Sequence, residues 1–182
     1  MKALIIIDML NDFVTGVLAN EERAMKIIPV IQRTINYARN RHDWLVVYAN
    51  DAHQITDREI DVWGKHALAG AWGAEVVKAL APIGSEREIV SPKRFYSAFD
   101  GTGLEGVFRQ YGVTGVVLTG QHTNCCIRHT AYSAFILGYD ITVLSDAVCT
   151  SPDFDQNAAL DYLKTIYNAE IITSVELGVP SK

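Results

Sequence analysis

Cysteine is scarce in this chain: there are three in 182 residues, two of them adjacent, which excludes a disulfide framework and suits a reducing compartment. Long apolar runs are also missing. Nothing approaches the roughly 20 residues of a membrane span, and the opening run Ala3 to Ile7 is too short for a secretory segment. The expectation is therefore a soluble, cytoplasmic protein with no membrane partner. Basic residues are outnumbered, 16 Lys and Arg against 21 Asp and Glu for a net charge of -5, and they form no cluster. A nucleic-acid footprint is not expected. No GxGxxG loop follows the first apolar run, so the main sign of a dinucleotide-binding Rossmann domain is absent. Internal repeats, low-complexity tracts and linkers are lacking too.

What remains is enough for one ordinary core, because 49% of the residues are hydrophobic and the length fits a single domain. Short apolar runs at Ala3 to Ile7, Leu45 to Ala49, Glu88 to Val90, Val113 to Thr119, Ile141 to Leu144 and Glu170 to Thr173 read as strands. Between them lie positions at helical spacing: Ile28, Ile31, Ile35 and Ala38; Val76, Val77 and Leu80; Leu104, Val107, Phe108 and Tyr111; Ala131, Ala134 and Phe135; Leu160, Leu163 and Ile166. This β/α alternation predicts an α/β fold, a three-layer doubly wound sheet of about six mostly parallel strands with helices on both faces. Asn50 to Gly73 is the one long connection without a clear period. Ligands of such sheets bind at the carboxyl ends of strands, which singles out Asp8, Asp51, His53, Lys93 and Cys126.

Taken singly, each has a plain structural role: Asp8 caps a turn, Lys93 is a solvated charge, and Cys126 is a small core residue. Together, a carboxylate, an ammonium and a thiol at neighbouring strand ends can converge in one cleft. Cys126 also falls where a strand, the turn at Gly120 and a helix meet, and a helix N-terminus favours a thiolate. Asp51 and His53 share one side of an extended chain. With His66, and with Glu59 in the same loop, they offer a mixed oxygen and nitrogen set suited to zinc, iron or manganese.

The order Asp8, Asp51-x-His53, His66, Lys93-Arg94-Phe95-Tyr96 and Gly120-x-x-Thr123-x-x-Cys126 resembles the isochorismatase-like cysteine hydrolases, and within them the nicotinamidases. The resemblance implies one such domain over residues 1–182 and an Asp8, Lys93, Cys126 catalytic triad. It also implies a non-proline cis peptide between Gln121 and His122, with the backbone N–H groups of His122 and Cys126 forming an oxyanion hole. Asp51, His53 and His66 would ligate one divalent ion, zinc first and iron or manganese as alternatives, with Glu59 a further donor that the resemblance does not fix. Phe13, Trp63 and Tyr96 would line the pocket of a small amide. The implied reaction converts nicotinamide and water to nicotinic acid and ammonia through a Cys126 thioester. Homo-oligomers are common in the family and are expected here.

The chain departs from the nicotinamidase pattern at Ala52, where a Trp is frequent, and at Asn124 and Cys125. These departures bear on substrate more than on the nucleophile. The alternatives are hydrolysis of another small amide, carbamoyl compound or ester, and a non-catalytic metal-binding module. A Cys125–Cys126 disulfide would block the nucleophile, so a redox switch is the weaker reading. Cys149 reads as structural, His129 as a surface or packing residue, and His42 has no assigned function.

Overall fold

The first apolar run forms strand β1 (Lys2–Ile7), in which every residue from Ala3 to Ile7 is buried. Such a run, apolar at every position, needs cover on both faces of the sheet. β2 (Trp44–Asp51) is likewise buried along its whole length. β3 (Glu88–Lys93), β4 (Gly115–Gln121), β5 (Asp140–Cys149) and β6 (Glu170–Ile172) complete a six-stranded sheet in the order β3-β2-β1-β4-β5-β6. Every pairing is parallel. The computed structural model describes residues 1–181.

Alternation along β1 divides the core. Ala3, Ile5 and Ile7 pack with Leu45, Val47, Leu118 and the buried sides of α4 (Leu104–Tyr111), α5 (Cys126–Ile136) and α6 (Gln156–Tyr167). On the opposite face, Leu4 and Ile6 pack under the long helix α2 (Glu21–Arg39) through Ile27, Ile31 and Ile35. Two short helices, α1 (Asn11–Val14) and α3 (Arg58–Trp63), lie beyond the carboxyl ends of β1 and β2. Among the described residues, no helix is long and apolar enough to cross a membrane.

All six expected strands form, and the three-layer sheet is the one expected. One helix is not: Val76, Val77 and Leu80 sit at helical spacing, but Val76 and Val77 are extended and Leu80 ends a single 3-10 turn, Lys78–Leu80. Pairing with the chain after β1 decides this, because Val77 N–H donates to Met9 O at 2.9 Å and Leu10 bridges Val76. Pro82 then blocks any continuation. The connection from Asn50 to Gly73 contains α3, whose six residues are too few to show a period.

After β1 the chain builds outward to β2 and β3, then returns to β4 on the other side, so strand order reverses between β1 and β4. A crevice opens there at the carboxyl ends. Gly120 sets its width. Its φ is +105°, and a Cβ would stand 2.0 Å from Ile7 O, so only glycine lets β4 pass this close to β1. At the far end of the sheet, the Glu88 carboxylate accepts from Arg39 Nε at 2.8 Å and from the backbone N–H groups of Ile83, Gly84 and Ser85.

Gly120→Ala is expected to cost about 3 kcal/mol or more of unfolding free energy, read as a fall in the denaturant midpoint. An unchanged midpoint would rule out the close approach. Burial would raise the Glu88 carboxyl, but Arg39 and the backbone donors outweigh it and hold it below its ordinary 4.5. Its stabilisation is therefore complete above pH 4.5 and lost as pH falls through the lowered value. Glu88→Gln should lower stability at pH 7 by about 2 kcal/mol and flatten the acid side of the stability curve.

Candidate active site

Asp8, Lys93 and Cys126 meet at the carboxyl ends of the central strands, and all three are buried. Asp8 follows β1 with φ +51°. Its N–H donates to Asn50 Oδ1 at 2.9 Å, and its Oδ1 accepts from Asp51 N–H at 2.8 Å. Lys93 ends β3 in register with Asp51 at the end of β2. Its Nζ lies 2.8 Å from Asp8 Oδ2, donates to Asp51 Oδ1, and stands 3.7 Å from Cys126 Sγ. Cys126 is the first residue of α5.

These distances explain the charge states. Burial alone would depress Lys93, but Asp51 and Asp8 outweigh it and keep the ammonium protonated well above its ordinary range. For Asp8 the balance runs the other way. Burial, reinforced by Asp51, exceeds the pull of Lys93 and raises its carboxyl to about 7. The thiol departs from the sequence expectation. The hydrogen bond with Cys125 and burial together push Cys126 well above its ordinary value, despite Lys93 and its place at a helix N-terminus. The neighbouring Cys125 is lowered to about 6 by that hydrogen bond and, against burial, by His129. The Cys126 thiol is therefore held protonated in the resting site.

The Gln121–His122 peptide is cis. Among the described residues, the backbone N–H groups of His122 and Cys126 have no protein acceptor. Gln121 anchors this turn, its Nε2 donating to Asp8 O and Phe13 O at 3.3 and 3.2 Å. Asn20 Nδ2 in turn donates to Gln121 Oε1 at 3.2 Å.

Beside the thiol lies a second cluster. Asp51, His53, Glu59 and His66 are all buried, and each offers a donor atom within 4.8 Å of the others. His53 Nε2 stands 3.5 Å from Asp51 Oδ2 and 3.7 Å from Glu59 Oε2. It is buried without a hydrogen-bond partner. His66 Nδ1 pairs with Gly64 O at 2.8 Å, which leaves its Nε2 as the nitrogen with a free lone pair. Burial, with Asp51 adding to it, raises Glu59 to about 7. An orphaned imidazole nitrogen inside two imidazoles and two carboxylates fits a divalent ion. Glu59, left open by the sequence, joins the cluster.

Phe13 borders both centres, its ring 5.6 Å from that of His66 and 5.8 Å from that of His122. Trp63 Nε1 donates to Tyr96 OH at 3.1 Å, and Tyr96 packs 5.0 Å from the His129 ring. His129 thus packs beside Cys125, whose carbonyl lies 2.9 Å from its Nδ1. Cys149 is buried beside Asn20 and Gln121. His42 precedes β2 at the opposite end of the sheet. Sequence reasoning missed Asn50, Asp57 and Asp12, and named Gln121 only for its peptide bond and not for its side chain. Asp12 Oδ2 accepts from Ala67 N–H at 2.8 Å, next to His66, where Ala67 has φ +41°. Only Asp57 carried a signal, standing four residues after His53.

Comparison with known proteins finds relatives that match nearly the whole chain. The isochorismatase domain family matches residues 2–176. An N-carbamoylsarcosine amidase from Thermoplasma acidophilum is 37% identical, with a TM-score of 0.87 over 95% of this chain and 96% of its own. A pyrazinamidase/nicotinamidase from Streptococcus mutans UA159 is 32% identical, with a TM-score of 0.88 over 94% of this chain and 100% of its own. A pyrazinamidase from Pyrococcus horikoshii, solved in complex with zinc, is 31% identical, with a TM-score of 0.83 over 94% and 98%. With a family match across almost its whole length, the chain belongs to the isochorismatase family and is an isochorismatase-like hydrolase.

Proposed function

We propose that this protein is a metal-assisted cysteine amidohydrolase whose substrate is nicotinamide. The observation that carries the reading is the sharing of Asp51. One of its oxygens accepts from Lys93 Nζ, 3.7 Å from the Cys126 thiol, and the other faces His53 Nε2 at 3.5 Å. A nucleophile and a metal-type donor set thereby lie side by side.

Asp8 is the base. Its raised carboxyl, about 7, accepts a proton better than an ordinary carboxylate and still ionises at neutral pH. The Cys126 proton passes to Asp8 as Sγ attacks the carboxamide carbon. Lys93 stays charged and offsets the negative charge that forms. The oxyanion faces the free N–H groups of His122 and Cys126. Asp8 returns the proton to the leaving nitrogen, and ammonia departs. Asp8 then takes a proton from water, which attacks the thioester, and the carboxylic acid leaves as the thiol is restored. A divalent ion held by Asp51, His53, Glu59 and His66, zinc in this reading, supplies when bound a Lewis-acidic anchor for the substrate's ring nitrogen. Phe13 gives that ring an aromatic neighbour.

A carbamoyl compound is the second reading. It is favoured by the 37% identity to an N-carbamoylsarcosine amidase, against 32% for the nicotinamidase, and by the small Ala52 beside the donor set.

Ammonia release from nicotinamide and from an N-carbamoyl amino acid by zinc-loaded protein tests both. Nicotinamide turnover that disappears in Cys126→Ala is the expected result. Turnover of the carbamoyl compound alone transfers the assignment to the second reading, and equal rates in wild type and Cys126→Ala would sink the mechanism. Asp8→Asn should lose roughly 100- to 10,000-fold in kcat. Because the base must be ionised, kcat/KM should rise with pH through about 7, and a flat profile would remove Asp8 from that role.

A further inference from the structure

The helix α3 begins with an aspartate that does not cap it. Asp57 stands at the N-cap, where its carboxylate would ordinarily accept from the first backbone N–H groups of the helix, yet no such bond forms. The side chain turns instead toward His53. Asp57 Oδ2 lies 3.3 Å from His53 Nδ1 and accepts from Gln54 N–H at 2.9 Å. The Arg94 guanidinium meets both oxygens, with Nε at 3.1 and 3.0 Å and Nη2 on Oδ1. The Asp57 carboxylate is buried, while Arg94 is about half exposed. Arg94 directly follows Lys93, so one strand end supplies a cation to each centre.

We infer that Asp57 and Arg94 are positioning residues that hold His53 ready for a metal ion. An imidazole whose Nδ1–H donates to a carboxylate keeps its Nε2 lone pair free and fixed in direction. In this chain that Nε2 is a buried atom without a hydrogen-bond partner, facing Asp51 and Glu59. Arg94 grips Asp57 through a two-pronged contact, which fixes the carboxylate plane as well as its place. The forgone helix cap is consistent with this use, since the carboxylate serves the histidine at the expense of its own helix. The inference rests on the metal-centre reading proposed above.

The test is zinc affinity of metal-stripped protein, measured by competition with a chromophoric chelator at pH 8, beside the melting temperature of the metal-free form. Asp57→Ala should bind zinc 10- to 100-fold more weakly. Asp57→Asn, which keeps an oxygen able to accept from Nδ1–H but loses the charge, should fall between Asp57→Ala and wild type. Arg94→Gln, altering a half-exposed side chain, should weaken binding severalfold with the metal-free melting temperature unchanged, which keeps the inference testable if Asp57→Ala does not fold. Long-range proton–nitrogen spectra of the zinc-loaded wild type should show the His53 hydrogen on Nδ1. Wild-type affinity in Arg94→Gln and Asp57→Asn, or a His53 hydrogen on Nε2, overturns the inference and leaves the metal centre standing. A wild-type protein that binds no zinc removes the centre and the inference together.

Discussion

The site depends on one buried cation. Lys93 is fully enclosed, and its ammonium is tolerable only because Asp8 and Asp51 lie against it. Removing one partner of such a buried pair costs on the order of 3–5 kcal/mol, because the remaining charge is left uncompensated in a low dielectric. The three residues come from the ends of three parallel strands, so the ion cluster also fastens the carboxyl edge of the sheet. Two carboxylates around one ammonium leave one net negative charge. Burial first, and the second carboxylate after it, raise the Asp8 carboxyl to about 7, which makes the same arrangement both a structural clasp and, in the proposed mechanism, a source of basicity.

Asp51 carries that constraint outward. Its backbone N–H fixes Asp8 Oδ1, one side-chain oxygen meets Lys93, and the other faces His53. No separate element is needed to align the proposed metal centre with the proposed nucleophile. Register supplies the alignment, since Asp51 pairs with Lys93 and Ile7 pairs with Gly120 across adjoining strands. A slip of one residue in either ladder would send these side chains to the opposite face.

The sheet was legible because its central strands are unbroken apolar runs, and the helices packed on it repeat at 3.6 residues. Val76, Val77 and Leu80 misled for a physical reason: backbone pairing with Met9 and Leu10 outweighs a local spacing that is equally compatible with an extended edge. The cluster of Asp8, Asp51, His53, His66, Lys93 and Cys126 was legible because each sits just after a strand or in one long connection. What was not legible depends on distances between side chains. No spacing shows that Asp57 leaves its helix uncapped for His53, or that the adjacent Cys125 and burial push the Cys126 thiol up. A helix N-terminus acidifies a thiol only where burial and a competing neighbour do not exceed it, and at Cys126 they do.

That competition bears on the substitutions that set this chain apart from the nicotinamidase pattern. Asn124 is committed to the loop after β5, exchanging hydrogen bonds with Ser151 through both its amide and its carbonyl. A carboxylate there would lose the donor half of that exchange, so the choice of Asn follows from the loop and says little about substrate. Cys125 differs: it is half-buried, adjoins Cys126 and lies next to His129, which packs on Tyr96. With the Cys126 thiol pushed up by its Cys125 neighbour and by burial, the proposed reaction draws its proton off as Sγ bonds to carbon, the step for which the raised Asp8 carboxyl is the proposed base.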